Sequence, residues 1–233
     1  MFGKKNKAVT FSYDDGVTQD IRLIEIFNKY GLKATFNLNS ELLGTDGSLV
    51  REGRVVNHTK NKPEDVKHIY DGHEVAVHTL THPNLHKTED DNEVLRQVEQ
   101  DRINLSELAG YEVVGMAYPG GGKNCDKRVA EIIKNNTGVR YARSSDVTKS
   151  FEPFDDLYQY CGTLYHHANW DILFDMGKEF LELQADTPKV FYIWGHSYEF
   201  DIYPKRWEMF EEFCKMISNK DDIFYGTNRE MLI

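Results

Sequence analysis

Asp14 and Asp15 stand side by side in the run Thr10-Phe11-Ser12-Tyr13-Asp14-Asp15-Gly16, and His78 and His82 stand four apart in Val77-His78-Thr79-Leu80-Thr81-His82-Pro83. Adjacent carboxylates at a strand end point in different directions, so one can ligate a divalent ion while the other stays free as a base. One carboxylate and two neutral imidazoles leave coordination positions open, which catalytic metals need and structural ones lack. The two histidines share a face if Thr79–Thr81 make one helical turn, and Pro83 stops any extension. Each motif alone has an ordinary reading, Asp-Gly as a turn dipeptide and the imidazoles as loop residues. Their joint presence favours metal chemistry.

Two further segments could act on the same substrate. His196 closes the apolar run Val190-Phe191-Tyr192-Ile193-Trp194-Gly195, and an imidazole that titrates near neutrality can protonate a departing amine. Pro119, Gly120 and Gly121 open a glycine-rich turn whose free N–H groups could form an oxyanion hole. No Gly-x-Gly-x-x-Gly follows a strand, and neither Gly-Lys-Ser/Thr nor Gly-x-Ser-x-Gly occurs, so a phosphate cradle and a serine-hydrolase elbow are unsupported. His166, His167 and Trp170 precede a helical stretch and read as structural, although one imidazole could reach the cleft. Cys125, Cys161 and Cys214 are widely spaced, which suits reduced, mostly buried thiols rather than a disulfide framework. Cys161 reads as core.

These groups need a scaffold that gathers strand ends. Apolar, β-rich runs fall at 8–13, 33–38, 73–78, 112–118, 139–143, 158–164 and 189–194, with a shorter one at 223–225. Helical periodicity falls at 21–30, 91–108, 126–135, 171–183 and 204–217, the last opening on Pro204. Gly31, Gly72, Gly110 and Gly138 each follow a helical segment, where a C′ glycine belongs. Repeated βα units imply a parallel sheet, and seven or eight of them imply an α/β barrel slightly smaller than the (β/α)8 norm. A doubly wound open sheet is the alternative. Both folds place chemistry at the C-terminal ends of strands. Residues 40–62 read as an irregular insertion on that face, able to shape a substrate cleft.

At 233 residues the chain suits one domain spanning 1–233. A formal net charge of −10 argues against nucleic acid or an anionic membrane as partner. No stretch approaches a membrane span, and no secretory h-region follows the basic start, so a cytoplasmic location is expected unless a leader has been removed.

Together the motifs resemble the polysaccharide deacetylase family, carbohydrate esterase family four, also called the NodB-homology domain. Its Thr-Phe-Asp-Asp-Gly run is spaced here as Thr10-Phe11-Ser12-Tyr13-Asp14-Asp15-Gly16, and its His-Ser/Thr-x-x-His is met by His78-Thr79-Leu80-Thr81-His82. Its final strand-end histidine matches His196. The resemblance implies a distorted (β/α)7–8 barrel and metal-dependent removal of N-acetyl groups from an amino sugar, oligosaccharide or polysaccharide. It makes Asp14 the base, His196 the acid, and Asp15, His78 and His82 the ligands of a divalent ion. Zinc is expected, and cobalt, nickel, iron or manganese would accept the same donors. A related amide or ureide hydrolase acting on a small acylated amine, and a silent carbohydrate-binding relative, are the alternatives.

The family's Arg-x-Pro-x-Gly motif falls on Ala117-Tyr118-Pro119-Gly120-Gly121, so its base-orienting arginine is absent. Arg143, at the end of the next predicted strand, is expected to reach Asp14 instead. The family's Asp-and-Trp motif, which tunes the acid, is matched by neither Asp155-Asp156 nor Trp170-Asp171.

Overall fold

The computed structural model describes residues 2–203 and 205–233; Pro204, expected to open the last long helix, lies outside them. β1 (Lys7–Asp14) is buried at every position, as is β2 (Ala34–Leu38) beyond α1 (Asp20–Lys29). Continuous burial belongs to parallel strands covered on both faces. An antiparallel hairpin, β3 (Ser48–Arg51) and β4 (Arg54–Asn57), occupies the expected insertion. After it come α2 (Val66–Ile69), β5 (Glu74–Val77), α3 (Asp91–Ala109), β6 (Gly115–Ala117), α4 (Lys127–Asn136) and β7 (Tyr141–Val147). β8 (Tyr160–Gly162) and β9 (Leu164–Tyr165) follow without a helix between them. α5 (Trp170–Glu182), β10 (Lys189–Gly195), α6 (Arg206–Ile217), β11 (Ile223–Tyr225) and α7 (Asn228–Leu232) complete the chain.

The hydrogen-bonded order is β8-β7-β6-β5-β2-β1-β10-β9, parallel throughout, with β11 beside β1. Its two ends, β8 and β9, are separated in sequence only by Thr163. The Thr163 N–H donates to Tyr192 O at 2.8 Å, and its Oγ1 donates to Val190 O at 3.1 Å. The wall therefore curls round through one bent segment rather than a regular closing ladder. Counting β8 and β9 as one stave leaves seven, plus the short β11. This is the distorted α/β barrel type, and the open doubly wound sheet is set aside.

Opposite the active rim, α7 plugs the barrel with polar groups. Buried Asn228 accepts from Thr10 Oγ1 at 2.9 Å and donates to Tyr192 OH at 2.5 Å. Buried Glu74 accepts from Thr35 Oγ1, Tyr141 OH and the Arg229 N–H at 2.7 to 2.9 Å. A network satisfied in this way stiffens the wall it joins. Gly31, Gly72 and Gly110 take the positive φ expected of them, but Gly138 does not. A Cβ at 138 would lie 2.6 Å from the Arg102 guanidinium, so a side chain there would require that arginine to shift. Cys214 is buried, whereas Cys125 and Cys161 are half-buried, less enclosed than expected. Among the described residues no helix is long and apolar enough to cross a membrane.

Candidate active site

β1 ends on Asp14, and the chain leaves it through Asp15 at φ 87. A non-glycine residue holds such a backbone only when its neighbours over-determine it. Here the Asp15 N–H donates to Asn37 O at 3.0 Å, and Lys60 Nζ donates to Asp15 O at 2.7 Å. The turn sends the two carboxylates to different partners. Arg143 Nη2 lies 2.5 and 2.6 Å from the two oxygens of Asp14, and Asn37 Nδ2 donates to Oδ1 at 2.8 Å. Asp15 Oδ2 is 3.1 Å from His58 Nε2, and its Oδ1 is 3.6 Å from Lys60 Nζ. Burial alone would raise both carboxyl pKa values. Arg143 outweighs it at Asp14, and His58 with Lys60 outweighs it at Asp15, so both stay below the ordinary carboxylate range.

Arg143 is not at the end of its strand. β7 runs on to Val147 past a register irregularity, and Arg143 points into the barrel, buried, 4.4 Å from the Trp194 ring centroid. β7 stands four places from β1 in the sheet order. At about 4.8 Å per strand, a flat sheet would separate them by ~19 Å, beyond a guanidinium's reach. Curvature makes the contact.

His78 follows β5 directly. Its Nδ1 is 2.8 Å from Ala117 O, which can only accept, so Nδ1 carries the proton and Nε2 keeps its lone pair. His78 Nε2 lies 3.9 Å and His82 Nε2 3.5 Å from Asp15 Oδ1. The expected helical turn between the two histidines is not formed. Thr79 at φ 67 and His82 at φ 64 are left-handed, and this path brings the rings to 4.9 Å between centroids. Each such residue costs on the order of 1–3 kcal/mol, so the loop must be held. Asp101 on α3 accepts from the His78 N–H at 3.1 Å and the Ser40 N–H at 2.7 Å, and Asn39 Nδ2 donates to Thr79 O at 2.9 Å.

Burial keeps both imidazoles neutral, lowering His82 and bringing His78 to about 4. One donor atom each from Asp15, His78 and His82 lies within 4.8 Å of the others. An ionised carboxylate with two neutral imidazoles suits a divalent ion, so the donors fit the expected metal. Asp14 stands outside that group.

His196 follows β10 at once, its Nε2 4.0 Å from Asp14 Oδ2 and its Nδ1 3.1 Å from Glu199 Oε1. Buried Glu199 also accepts from the His196 N–H at 3.2 Å and from the Tyr165 hydroxyl. Burial alone would lower His196, but the Glu199 charge outweighs it and raises the imidazole to about 9. Glu199 in turn is held at about 2: burial raises it, and His196 more than offsets that. The pair is an imidazolium and a carboxylate at neutral pH. Tyr165 stacks on Trp194 at 4.2 Å and 12°, so the indole that Arg143 rests on also packs against the Glu199 shell.

Gly120 and Gly121 line the cleft beside these groups, whereas Pro119 is buried and is not part of its wall. Asn124 Nδ2 fixes the turn by donating to Tyr118 O at 3.0 Å and Gly120 O at 2.9 Å. His166 is buried and stacked on Phe200 at 4.7 Å, a structural role, but His167 reaches the cleft wall. The half-buried Cys161 thiol is pushed up by burial, which leaves it a poor nucleophile. Glu199, Asn37, His58, Lys60 and Asp101 escaped the sequence reading. Only Glu199 left a signal, a glutamate three residues after His196 at the spacing of a capping box.

A family model described as polysaccharide deacetylase matches residues 3–142. A curated relative, the peptidoglycan-N-acetylglucosamine deacetylase PgdA of Listeria monocytogenes, is 28% identical over 133 residues, covering 56% of this chain. The chain spans only 24% of that relative's length. Among solved structures, a family 4 carbohydrate esterase from Streptomyces lividans, in complex with acetate, aligns with TM-score 0.62 at 14% identity, covering 98% of this chain and 96% of that one. A family 4 pseudoenzyme from Bacillus anthracis aligns with TM-score 0.57 at 18% identity, covering 98% and 66%. At these identities the structural likeness speaks for the fold.

Proposed function

The chain belongs to the polysaccharide deacetylase family, and from that premise we propose that it hydrolyses an N-acyl group, N-acetyl first, from an amino sugar. The observation that carries this reading is that Asp14, outside the donor cluster, lies 4.0 Å from His196, where Arg143 favours the carboxylate of the one and Glu199 the imidazolium of the other. A base and an acid of matched protonation are what amide cleavage at neutral pH requires.

Asp15, His78 and His82 would hold a divalent ion, zinc first among those such donors accept, and it would supply Lewis acidity toward an acyl oxygen and lower the pKa of a water toward about 7. Asp14 takes the proton of the attacking water, while Arg143 keeps its carboxylate ionised and aimed. N–H groups of the Gly120-Gly121 turn donate to the oxyanion as the carbon becomes tetrahedral. His196 gives its proton to the departing nitrogen as the C–N bond breaks, so free amine and acetate leave. Return of the Asp14 proton to His196 restores both groups.

The test is acetate release from N-acetylglucosamine oligomers and small N-acetyl amines, and ring opening of cyclic ureides followed by loss of substrate, each with and without chelator. Release from the sugars, abolished by chelator and restored by zinc or cobalt, is the expected result, and His82→Ala should emerge from dialysis without metal. Activity confined to small amides or ureides would overturn the amino-sugar reading. A metal-loaded protein silent on every substrate would leave only carbohydrate binding.

Glu199→Gln gives a pH signature. His196 serves as donor only while protonated, so kcat declines as pH rises through its pKa. With the Glu199 charge removed, only Asp15 and Asp14 still oppose burial, and the alkaline limb should move down from about 9. An alkaline limb unchanged in kcat against pH would assign it to another group.

A further inference from the structure

The hairpin of β3 and β4 turns on Glu52 and Gly53, both at positive φ, the two-residue turn that matches strand twist. It is rooted after β2 but docks on the segments that follow β9 and β10. In the sheet order β2-β1-β10, such a span crosses above the end of β1, where Asp14 and Asp15 stand. Its underside is a small core, with Val56 buried among Val17, Tyr198 and Ile202 and Leu49 packed against them. Gln19 Nε2 ties its base down, donating to Asn57 O at 2.9 Å and to Asp201 Oδ2 at 2.8 Å.

Its tip is latched as well. Tyr203 OH donates to Glu52 Oε2 at 2.7 Å, His167 Nε2 lies 2.9 Å from Glu52 Oε1, and Arg51 Nη2 donates to Tyr198 OH at 3.3 Å. The Arg54 guanidinium lies 5.1 Å from the Tyr203 ring centroid. Leu49, Val50, Arg51 and Glu52 line the cleft, as do Gly120 and Gly121. The cleft, open to solvent on one side, has a volume of about 720 Å³, within the ~300–1,000 Å³ of small-molecule sites.

Resting on the deacetylase reading, we propose that the cleft is blind at the hairpin end and accepts a chain terminus or a short acylated amino-sugar, not an internal unit of a long polymer. A polysaccharide running through the site would have to pass where the hairpin is pinned to Tyr198, His167 and Tyr203. The terminal sugar instead meets the wall and places its acyl group between the base and the acid.

The experiment uses N-acetylglucosamine oligomers of two to six units, labelled at the reducing end, with products mapped by mass spectrometry. Deacetylation at one terminal unit for every length, with kcat/KM flat beyond the shortest oligomers, is expected. Shortening the hairpin between Leu49 and Val56 should open internal units and raise kcat/KM on the hexamer by roughly tenfold relative to the dimer, the worth of one added subsite contact. Should that variant not fold, Arg54→Ala with Tyr203→Phe removes latch contacts outside the cleft wall; it should keep dimer activity and begin to deacetylate internal units. Internal deacetylation by the unaltered protein, with kcat/KM climbing with length, overturns the blind end while leaving the deacetylase reading intact. No release from any oligomer by the metal-loaded protein removes that reading, and this inference falls with it.

Discussion

Asp14→Asn is expected to lower kcat by on the order of 10²- to 10⁴-fold while the dialysed protein keeps its metal. The amide is nearly isosteric but cannot take a proton from water, and it leaves the buried Arg143 guanidinium without a charged partner, so turnover is compared on folded protein. Metal retention follows from geometry, because the converging donors come from Asp15, His78 and His82 and do not include Asp14. Asp15→Asn should do the opposite, weakening metal binding first. Metal content by elemental analysis, read beside acetate release, separates the two carboxylates. Turnover within a few-fold of the unaltered protein would remove Asp14 as the base, and metal lost from Asp14→Asn would put it among the ligands.

Arg143→Met should destabilise the metal-free protein by about 3–5 kcal/mol at neutral pH, the usual consequence of stranding one partner of a buried ion pair. Both side chains are almost fully enclosed, at 1% and 4% exposure, so water cannot replace the guanidinium. The pH dependence has a definite sign. The Asp14 pKa in the folded chain lies below its ordinary 3.8, so the stabilisation from Arg143 is complete above that value and lost as pH falls through the folded one. In Arg143→Met, burial acts without its counterweight and Asp14 takes up a proton at higher pH. The gap between the two proteins in urea denaturation should therefore be widest near neutrality and close toward acid. Adding Asp14→Asn to Arg143→Met should recover much of the loss; strictly additive losses would show that the pair is not coupled.

Much of this architecture was legible because buried parallel strands write themselves as unbroken apolar runs, and each run here ends near a titratable or glycine residue. Asp14, His78 and His196 were placed from that pattern alone. The family model reaches only residue 142, so Arg143, His196 and Glu199 lie beyond it. The Asp14–Arg143 contact was anticipated from neighbouring strand ends, but the curvature that allows it is a property of the whole ring, not of any local spacing.

The convergence of His78 and His82 is legible in their i, i+4 spacing, but the route is not: two left-handed residues achieve it in place of a helical turn. His58 and Lys60 were invisible for a different reason. Their role depends on where the insertion folds back, and its hairpin buries only Val56, with Leu49 opposite partly buried and Val50 and Val55 exposed.

Asp15, Thr79 and His82 hold backbone conformations that side chains resist, and two of the three are donor residues. Conformational ease and chemistry therefore pull in opposite directions at the same positions. Glycine at 15 or 82 would relieve strain on the order of 1–3 kcal/mol and delete a ligand in the same step. A lineage released from selection for turnover has a downhill route open to it, and its early steps dismantle the donor cluster. A directed-evolution campaign scored on heat resistance alone would be drawn to the same codons, so thermostability screening of this scaffold needs an activity filter from its first round.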